Sequence, residues 1–313
     1  MITQAGRVDE AVAVTVPMLV RLSRDAATLP LRAGRILAGR GGDYQSPFRG
    51  RGIEFDESRP YQPGDDIRNI DWRVTARTGR PHTKVFREER ERPVFVWIDL
   101  RPSMFFATRR CYKAVAAAEI AGLLAWSAER HGDRVGGVVF SEDVHHEIRP
   151  QRGRRGVLRL IRQLASHPVW QSGSRRRPVA GAASRALVRL RRVARPGSLV
   201  FLISDFREFD DQAWTEMSRL SRHHDVVMIF VHDPVESSLP GPGLYRVSDG
   251  EGEHELDTFN PSVVDAHRDR FEKHLSLLRG HARTNGFYLL SCSTADAPLR
   301  VLQDGLLARR GRG

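Results

Sequence analysis

From Pro93 onward the chain alternates between short unbroken apolar runs and longer stretches whose apolar residues fall three or four apart. The runs VFVWID (94–99), DRVGGVVFS (133–141), SLVFLISDF (198–206), VVMIFVHD (226–233) and FYLLSCS (287–293) predict strands, the first of them buried. Residues 112–130, 155–166, 182–195, 210–223 and 261–284 predict helices, and Ala116, Ala117 and Ala118 let the first of these approach a sheet closely. VHHEIRP (144–150) reads as an edge partner of the strand before it, Tyr245 to Thr258 as a hairpin turning at Asp249 and Gly250, and the last residues as a basic helix. Strands and helices in alternation predict an α/β fold with a doubly wound, mostly parallel sheet.

Before Pro93 the pattern differs. Leu19, Leu22, Ala26 and Leu29 fall at roughly helical spacing, and Pro30 divides that helix from a short second one through Ile36 and Leu37. The stripe is narrow for membrane binding, so the expectation is a helical arm docked on its own domain. Gly39 to Gly52 reads as a loop. Pro63 and Gly64 suit the centre of a type II turn, after which Asp65 or Asp66 caps a helix carrying Ile67, Ile70 and Val74 and ending near Gly79. Arg68 and Asp71 are expected on its surface, with Trp72 as a packing face, and His82 to Arg92 as an extended charged segment. The domain reading is therefore an arm and loop over 1–50, a charged motif segment over 51–92 packed on the main domain, and the α/β domain over 93–313.

Composition narrows the class. With 313 residues, 40% of them apolar, the chain has material for a sizeable core. Its longest apolar runs are far shorter than the roughly 20 residues that cross a bilayer, and Asp9 and Glu10 stand where a basic leader would be, so a cytoplasmic protein is expected. Cys111 and Cys292 form neither a disulfide framework nor a CxxC pair. The net charge is +12, yet Lys84, Lys113 and Lys273 are the only lysines. An arginine bias of this kind is as easily a coding preference as an adaptation, which makes nucleic acid the less favoured partner.

The run E-F-x-x-x-R-x-Y-x-P-G-D-D-I-R-x-I-D-W-R-x-x-A-R, from Glu54 to Arg77, precedes a strand closing in D-L-x-P-S-M, from Asp99 to Met104. Its fixed positions include Arg59, Tyr61, Pro63, Gly64, Asp65, Asp66, Arg68, Asp71 and Trp72. This pattern resembles the bacterial domain-of-unknown-function family 58, and the likeness in element order extends over nearly everything after about residue 45. The resemblance implies a von Willebrand factor A-like fold and a partnership with a MoxR-type AAA+ ATPase, beside which such proteins are typically encoded. A metal-dependent von Willebrand A domain uses a D-x-S-x-S loop, a threonine from a second loop and an aspartate from a third, an oxygen set suited to magnesium. Here Asp99, Ser103 and Asp205 match. Arg101 stands in place of the first serine, and Gly181 falls where the threonine would lie. The expectation is a degenerate site in which the Arg101 guanidinium neutralises both Asp99 and Asp205, with no cofactor and with magnesium as the alternative that Arg101 disfavours.

Enzyme chemistry finds less support. Glu54, Asp65, Asp66, Asp71 and Lys84 would make the acid and lysine set of a metal-dependent nuclease, but Arg59, Arg68, Arg73 and Arg77 match those acids in number and an ion-pair network is expected instead. There is no G-x-S-x-G elbow and no Walker A loop. The arginine clusters at 152–155, 175–177 and 189–195 would dock an acidic surface if they do more than solvate the fold. The functional expectation is a non-enzymatic adaptor that brings an unknown client to the ATPase through Asp99, Arg101, Ser103 and Asp205. A basic nucleic-acid-binding or nuclease protein is the competing class.

Overall fold

The computed structural model describes residues 10–29, 31, 53–62, 65–88, 93–172, 178–248 and 252–307. Two compact units result: Met1–Gly41 together with Arg92–Gly313, and Gly42–Glu91.

The first helix, α1 (Val16–Arg21), is shorter than its apolar spacing predicts. In a continuing helix the N–H of Ser23 would donate to the Leu19 carbonyl. Trp126 takes that carbonyl with its indole N–H at 3.0 Å, and Ser23 donates to Val20 instead. The chain tightens into a 3-10 turn at Asp25–Thr28, which buries Ala26. The Leu29 carbonyl then accepts from Ser127 at 2.9 Å. The described part of the arm is thus docked on its own unit. Ile36 and Leu37 lie outside the described residues.

In the smaller unit, β1 (Ile53–Pro60) pairs antiparallel with β2 (His82–Glu88), with a bulge between Phe55 and Glu57. β1 has no sequence counterpart above, since its dense charges hide any apolar alternation. Between the strands, the single predicted helix is two pieces. Asp66 caps a 3-10 turn at Ile67–Asn69, and Asp71 caps α2 (Trp72–Thr78). The break has a local cause: Ile70 bridges to Thr83 and is extended, and the Asp71 N–H donates to the His82 carbonyl at 2.8 Å, which holds Asp71 at ψ 89°, outside helical backbone. Gly79, at φ 70°, closes α2 in the left-handed region that a glycine enters without penalty. Trp72 is 69% exposed rather than a packing face. The turn at Pro63 and Gly64 lies outside the described residues.

The larger unit follows the predicted alternation closely. Its elements are β3 (Val94–Asp99), α3 (Lys113–Arg130), β4 (Arg134–Phe140), β5 (His145–Arg152), α4 (Arg154–Ala165), α5 (Val169–Ser172) and α6 (Ala182–Val193). Then come β6 (Leu199–Ser204), α7 (Asp211–Ser221), β7 (Asp225–His232), α8 (Pro234–Ser237), β8 (Leu244–Ser248), β9 (Glu253–Asp257), α9 (Pro261–Asn285), β10 (Tyr288–Ser293) and α10 (Pro298–Leu307). Six strands form one sheet in the order β10-β7-β6-β3-β4-β5, parallel except for β5, while β8 and β9 pair separately. Side chains alternate across the sheet. Val94, Val96 and Ile98 of β3 enter a core with α1, α3, α4 and α10, whereas Phe95 and Trp97 enter a second core with α6, α7 and α9. Both faces are therefore covered, the condition for a parallel sheet. The described part of α10 is not basic: it packs Leu302 and Leu306 inward and carries Arg300 and Asp304. No helix among the described residues is long and apolar enough to cross a membrane.

Candidate functional site

Asp99 is the last residue of β3 and Asp205 directly follows β6. These strands are parallel neighbours, with Ile98 opposite Ile203, so both carboxylates reach the same carboxyl-end rim of the sheet. Open α/β sheets place their ligand sites at such rims. Each is almost fully buried, at 0% and 1% exposure. A buried carboxylate must be paired and hydrogen-bonded to be tolerated.

Asp99 meets that requirement with Arg101. The Arg101 N–H donates to Oδ1 at 2.9 Å, while its Nε and Nη2 lie 3.1 and 2.8 Å from Oδ2, a forked geometry. Ser204 Oγ donates to Oδ2 at 2.7 Å. The other hydrogen bond of Nη2 goes to the Arg207 carbonyl at 2.8 Å, and the rings of Phe140 and Phe209 flank the guanidinium. Burial alone would lower the Arg101 pKa, but the charge and hydrogen bonds of Asp99 override it and raise it. Arg101 is a permanent cation.

Asp205 has a different partner. Lys113, the first residue of α3, places Nζ 2.8 Å from its Oδ2 and 3.0 Å from Glu236 Oε1. Ser103 Oγ and the Arg207 N–H donate to Oδ1 at 3.2 and 3.1 Å. Glu236 is held in turn by Arg207 at 2.9 Å and by the N–H of Asp233. Burial pushes the Asp205 pKa up, but the Lys113 ammonium, with the Arg207 N–H, outweighs it and holds the carboxyl at about 2. The expectation that Arg101 neutralises both aspartates is thus corrected: it grips Asp99, and Lys113 grips Asp205. The guanidinium fork lies along Asp99, with Nη2 also turned to the Arg207 carbonyl, and its charge acts on Asp205 only as a lesser influence beside Lys113.

Two residues of the next loop, Phe206 (φ 53°) and Glu208 (φ 55°), hold left-handed backbone without being glycine. Such conformations cost about 1–3 kcal/mol each and persist where surrounding structure over-determines them. Here the side chain of Phe206 is buried, its N–H donates to Ser204 Oγ, and His274 Nε2 donates to the Asp205 carbonyl at 2.8 Å.

Structure also adds residues that the sequence reading passed over. Asp233, after β7, extends the row of strand-end aspartates to three adjacent strands. It accepts from the Thr108 N–H and hydroxyl, from Thr294 at 2.7 Å and from the Val235 N–H. Lys113 had a visible signal, being one of three lysines in an arginine-rich chain and opening a mostly apolar helix. At the position expected for a threonine, Gly181 caps α6 and offers only its carbonyl, which accepts from Ser184.

The motif residues of the smaller unit organise its own backbone. Arg59 pairs with Asp65 at 2.6 Å, and Asp65 also accepts from the Gln62 N–H; that bond first, then Arg59, lowers its pKa. Asp66 accepts from the Arg68 N–H, and Asp71 from those of Arg73 and Val74. The Tyr61 N–H donates to the Pro81 carbonyl, while Trp72 and Arg77 are exposed. Among the described residues, Arg59–Asp65 is the pair seen of the expected ion-pair network, and Asp66 and Asp71 serve as caps. The side chains of Glu54 and Lys84 lie outside the described residues.

The family described as "Protein of unknown function DUF58" matches residues 57–278. The uncharacterized proteins Rv1480 of Mycobacterium tuberculosis (strain H37Rv) and Mb1516 of Mycobacterium bovis are each 32% identical to this chain over 211 residues, 67% of this chain and 64% of theirs. The chain thus spans under two thirds of the length of the curated relatives it matches. Among solved structures it is similar to the conserved hypothetical protein BatB from Bacteroides thetaiotaomicron, at 14% identity and a TM-score of 0.45 over 71% of this chain and 100% of that one. An aerotolerance-related membrane protein from Bacteroides fragilis gives 15% identity and a TM-score of 0.43 over 69% and 99%.

Proposed function

The chain belongs to the DUF58 family, and from that premise we propose that it is a von Willebrand A-like, non-enzymatic adaptor of the cytoplasm. It delivers a client protein to a MoxR-type AAA+ ATPase for assembly or remodelling, using the rim around Asp99, Arg101, Ser103 and Asp205. One observation carries the reading: both rim aspartates are already neutralised by cations of the chain itself, Arg101 and Lys113.

A magnesium ion would need those carboxylate oxygens in near-octahedral array. Both oxygens of Asp99 accept from Arg101, and Lys113 Nζ sits between Asp205 and Glu236, so the donor set does not fit an ion. The same pairing leaves neither aspartate free as a general base. The paired charges are buried, and what the rim presents outward is its lip, where the side chains of Arg207 and Glu208 are 46% and 51% exposed. Such a lip suits recognition of another protein.

The test is reconstitution with the MoxR-type ATPase of the same organism. The wild type should co-elute with the ATPase and change its turnover, with or without chelator, and Arg207→Glu/Glu208→Lys should weaken co-elution about tenfold. Equal retention of the variant would sink the rim, loss on chelation would restore a metal site, and magnesium-dependent cleavage of labelled DNA would replace the adaptor reading altogether.

A further inference from the structure

The edge of the large sheet carries a charge pattern that the rim does not explain. β5 ends the strand order, with α4 packed on one face of the β4–β5 pair and α6 on the other. Neither helix contains an acidic residue. α6 buries Ala183, Ala186, Leu187 and Leu190, which leaves Arg185, Arg189 and Arg192, at i, i+4 and i+7, on one shared stripe. Arg189 pairs with Glu147 of β5 at 3.0 Å, so this stripe lies beside the strand. Arg149, two residues on, projects to the same side as Glu147 and is exposed.

The stripe also opens into a cleft of about 310 Å³, where Arg185 and Arg189 face Phe140, Glu142 and His145. Phe140, itself buried, is one of the rings against the Arg101 guanidinium, so the wall of the cleft packs against the rim pair. Glu142, 5% exposed, accepts from the Val179 N–H through Oε2 at 2.8 Å, while Oε1 has no hydrogen-bond partner.

Strand addition does not account for this edge. A register shift between Val135 and Gly137 and the missing N–H of Pro150 both blunt it against another strand. Recognition therefore falls to side chains. Arginine forks match carboxylates in pairs, and the line from Arg185 to Arg192 is about 10 Å long, two turns of a facing helix. Asp143 and Glu147 interrupt the positive surface. A phosphate backbone, negative throughout, would run across both, whereas a peptide can set a cation or an amide opposite them. Among the described residues of this edge the large exposed apolar side chain is Val179, which gives no aromatic platform for bases.

We infer that the α6 face, from Arg192 through Arg189 and Arg185 to the cleft at Glu142, docks an acidic helical segment of a partner protein. This rests on the adaptor reading and names the chemistry of what it holds beside the rim. The probe is a labelled amphipathic helical peptide with glutamates at i, i+4 and i+7, with a glutamine-substituted peptide as control, read by fluorescence anisotropy at low and high salt. Because no ATPase is present, this assay can fail while the reconstitution succeeds, and the reverse.

Arg185→Glu/Arg189→Glu/Arg192→Glu should weaken glutamate-peptide binding by about tenfold or more. Arg155→Glu/Arg159→Glu/Arg162→Glu carries the same charge change on a solvent-facing stripe of α4 and should stay within about twofold of wild type. Unchanged circular dichroism and melting temperature verify that both variants fold. Equal losses in the two variants, equal binding of the glutamine peptide, no binding at all, or tighter binding of a DNA duplex of matched charge would each overturn the inference.

Discussion

The rim of the large sheet and the hairpin of the smaller unit use the same side chains at opposite depths. At the rim, Asp99, Arg101, Lys113 and Asp205 are each 2% exposed or less. In the hairpin unit, Arg59 and Asp65 pair with side chains 37% and 18% exposed, and the neighbouring aspartates hold the N–H groups of turns. Identical ion pairs therefore carry different weight. An exposed pair competes with water and contributes little, whereas a buried one is costly to bring together and costlier to break singly. The hairpin acids shape a local backbone, whereas loss of one rim partner leaves an uncompensated charge buried in the large unit.

The sharpest way to break this contrast is to remove one rim cation. Lys113→Met leaves Asp205 buried against Glu236 without its ammonium, and the large unit should lose about 3–5 kcal/mol of stability by urea titration. A loss no larger than that of a surface substitution would mean that the rim is not what it looks like.

Acid offers a milder probe of the same bond. Asp205 is held at about 2 in the fold against 3.8 in a free chain, so its contribution is complete above the free value and is lost as pH falls through the folded one. The urea midpoint of the wild type should drop across that window. In Lys113→Met the main cause of the depression is gone, and the drop should flatten.

In the hairpin unit, Asp71→Ala removes only a helix cap, at a cost of about 1 kcal/mol. Hydrogen exchange should locate the change in Trp72–Thr78 and leave the six-stranded sheet protected. A global loss of protection would contradict the separation of the two regions.

How much of this could be read before any coordinates follows the same division. The strands and helices after Pro93 were legible because burial on both faces writes itself into unbroken apolar runs and helical spacing. Asp99 and Asp205 were legible as strand ends, so their shared rim followed from parallel pairing alone. The partner of Asp205 was not, since Lys113 lies far along the chain and no spacing rule connects a helix start to the end of β6. β1 was hidden by its charges. The break between Ile67 and α2 depends on the Asp71 N–H meeting His82 across the hairpin, a tertiary bond that outranks the local cap at Asp66.

The left-handed residues on either side of Arg207 restrict what evolution can do there. Phe206 and Glu208 occupy backbone that β-branched residues enter only at a penalty, and asparagine, aspartate or glycine are the tolerated neighbours in sequence space. That strain is held in place by the contacts around Phe206, so a substitution that loosens them gives the lip lower-energy backbone to relax into.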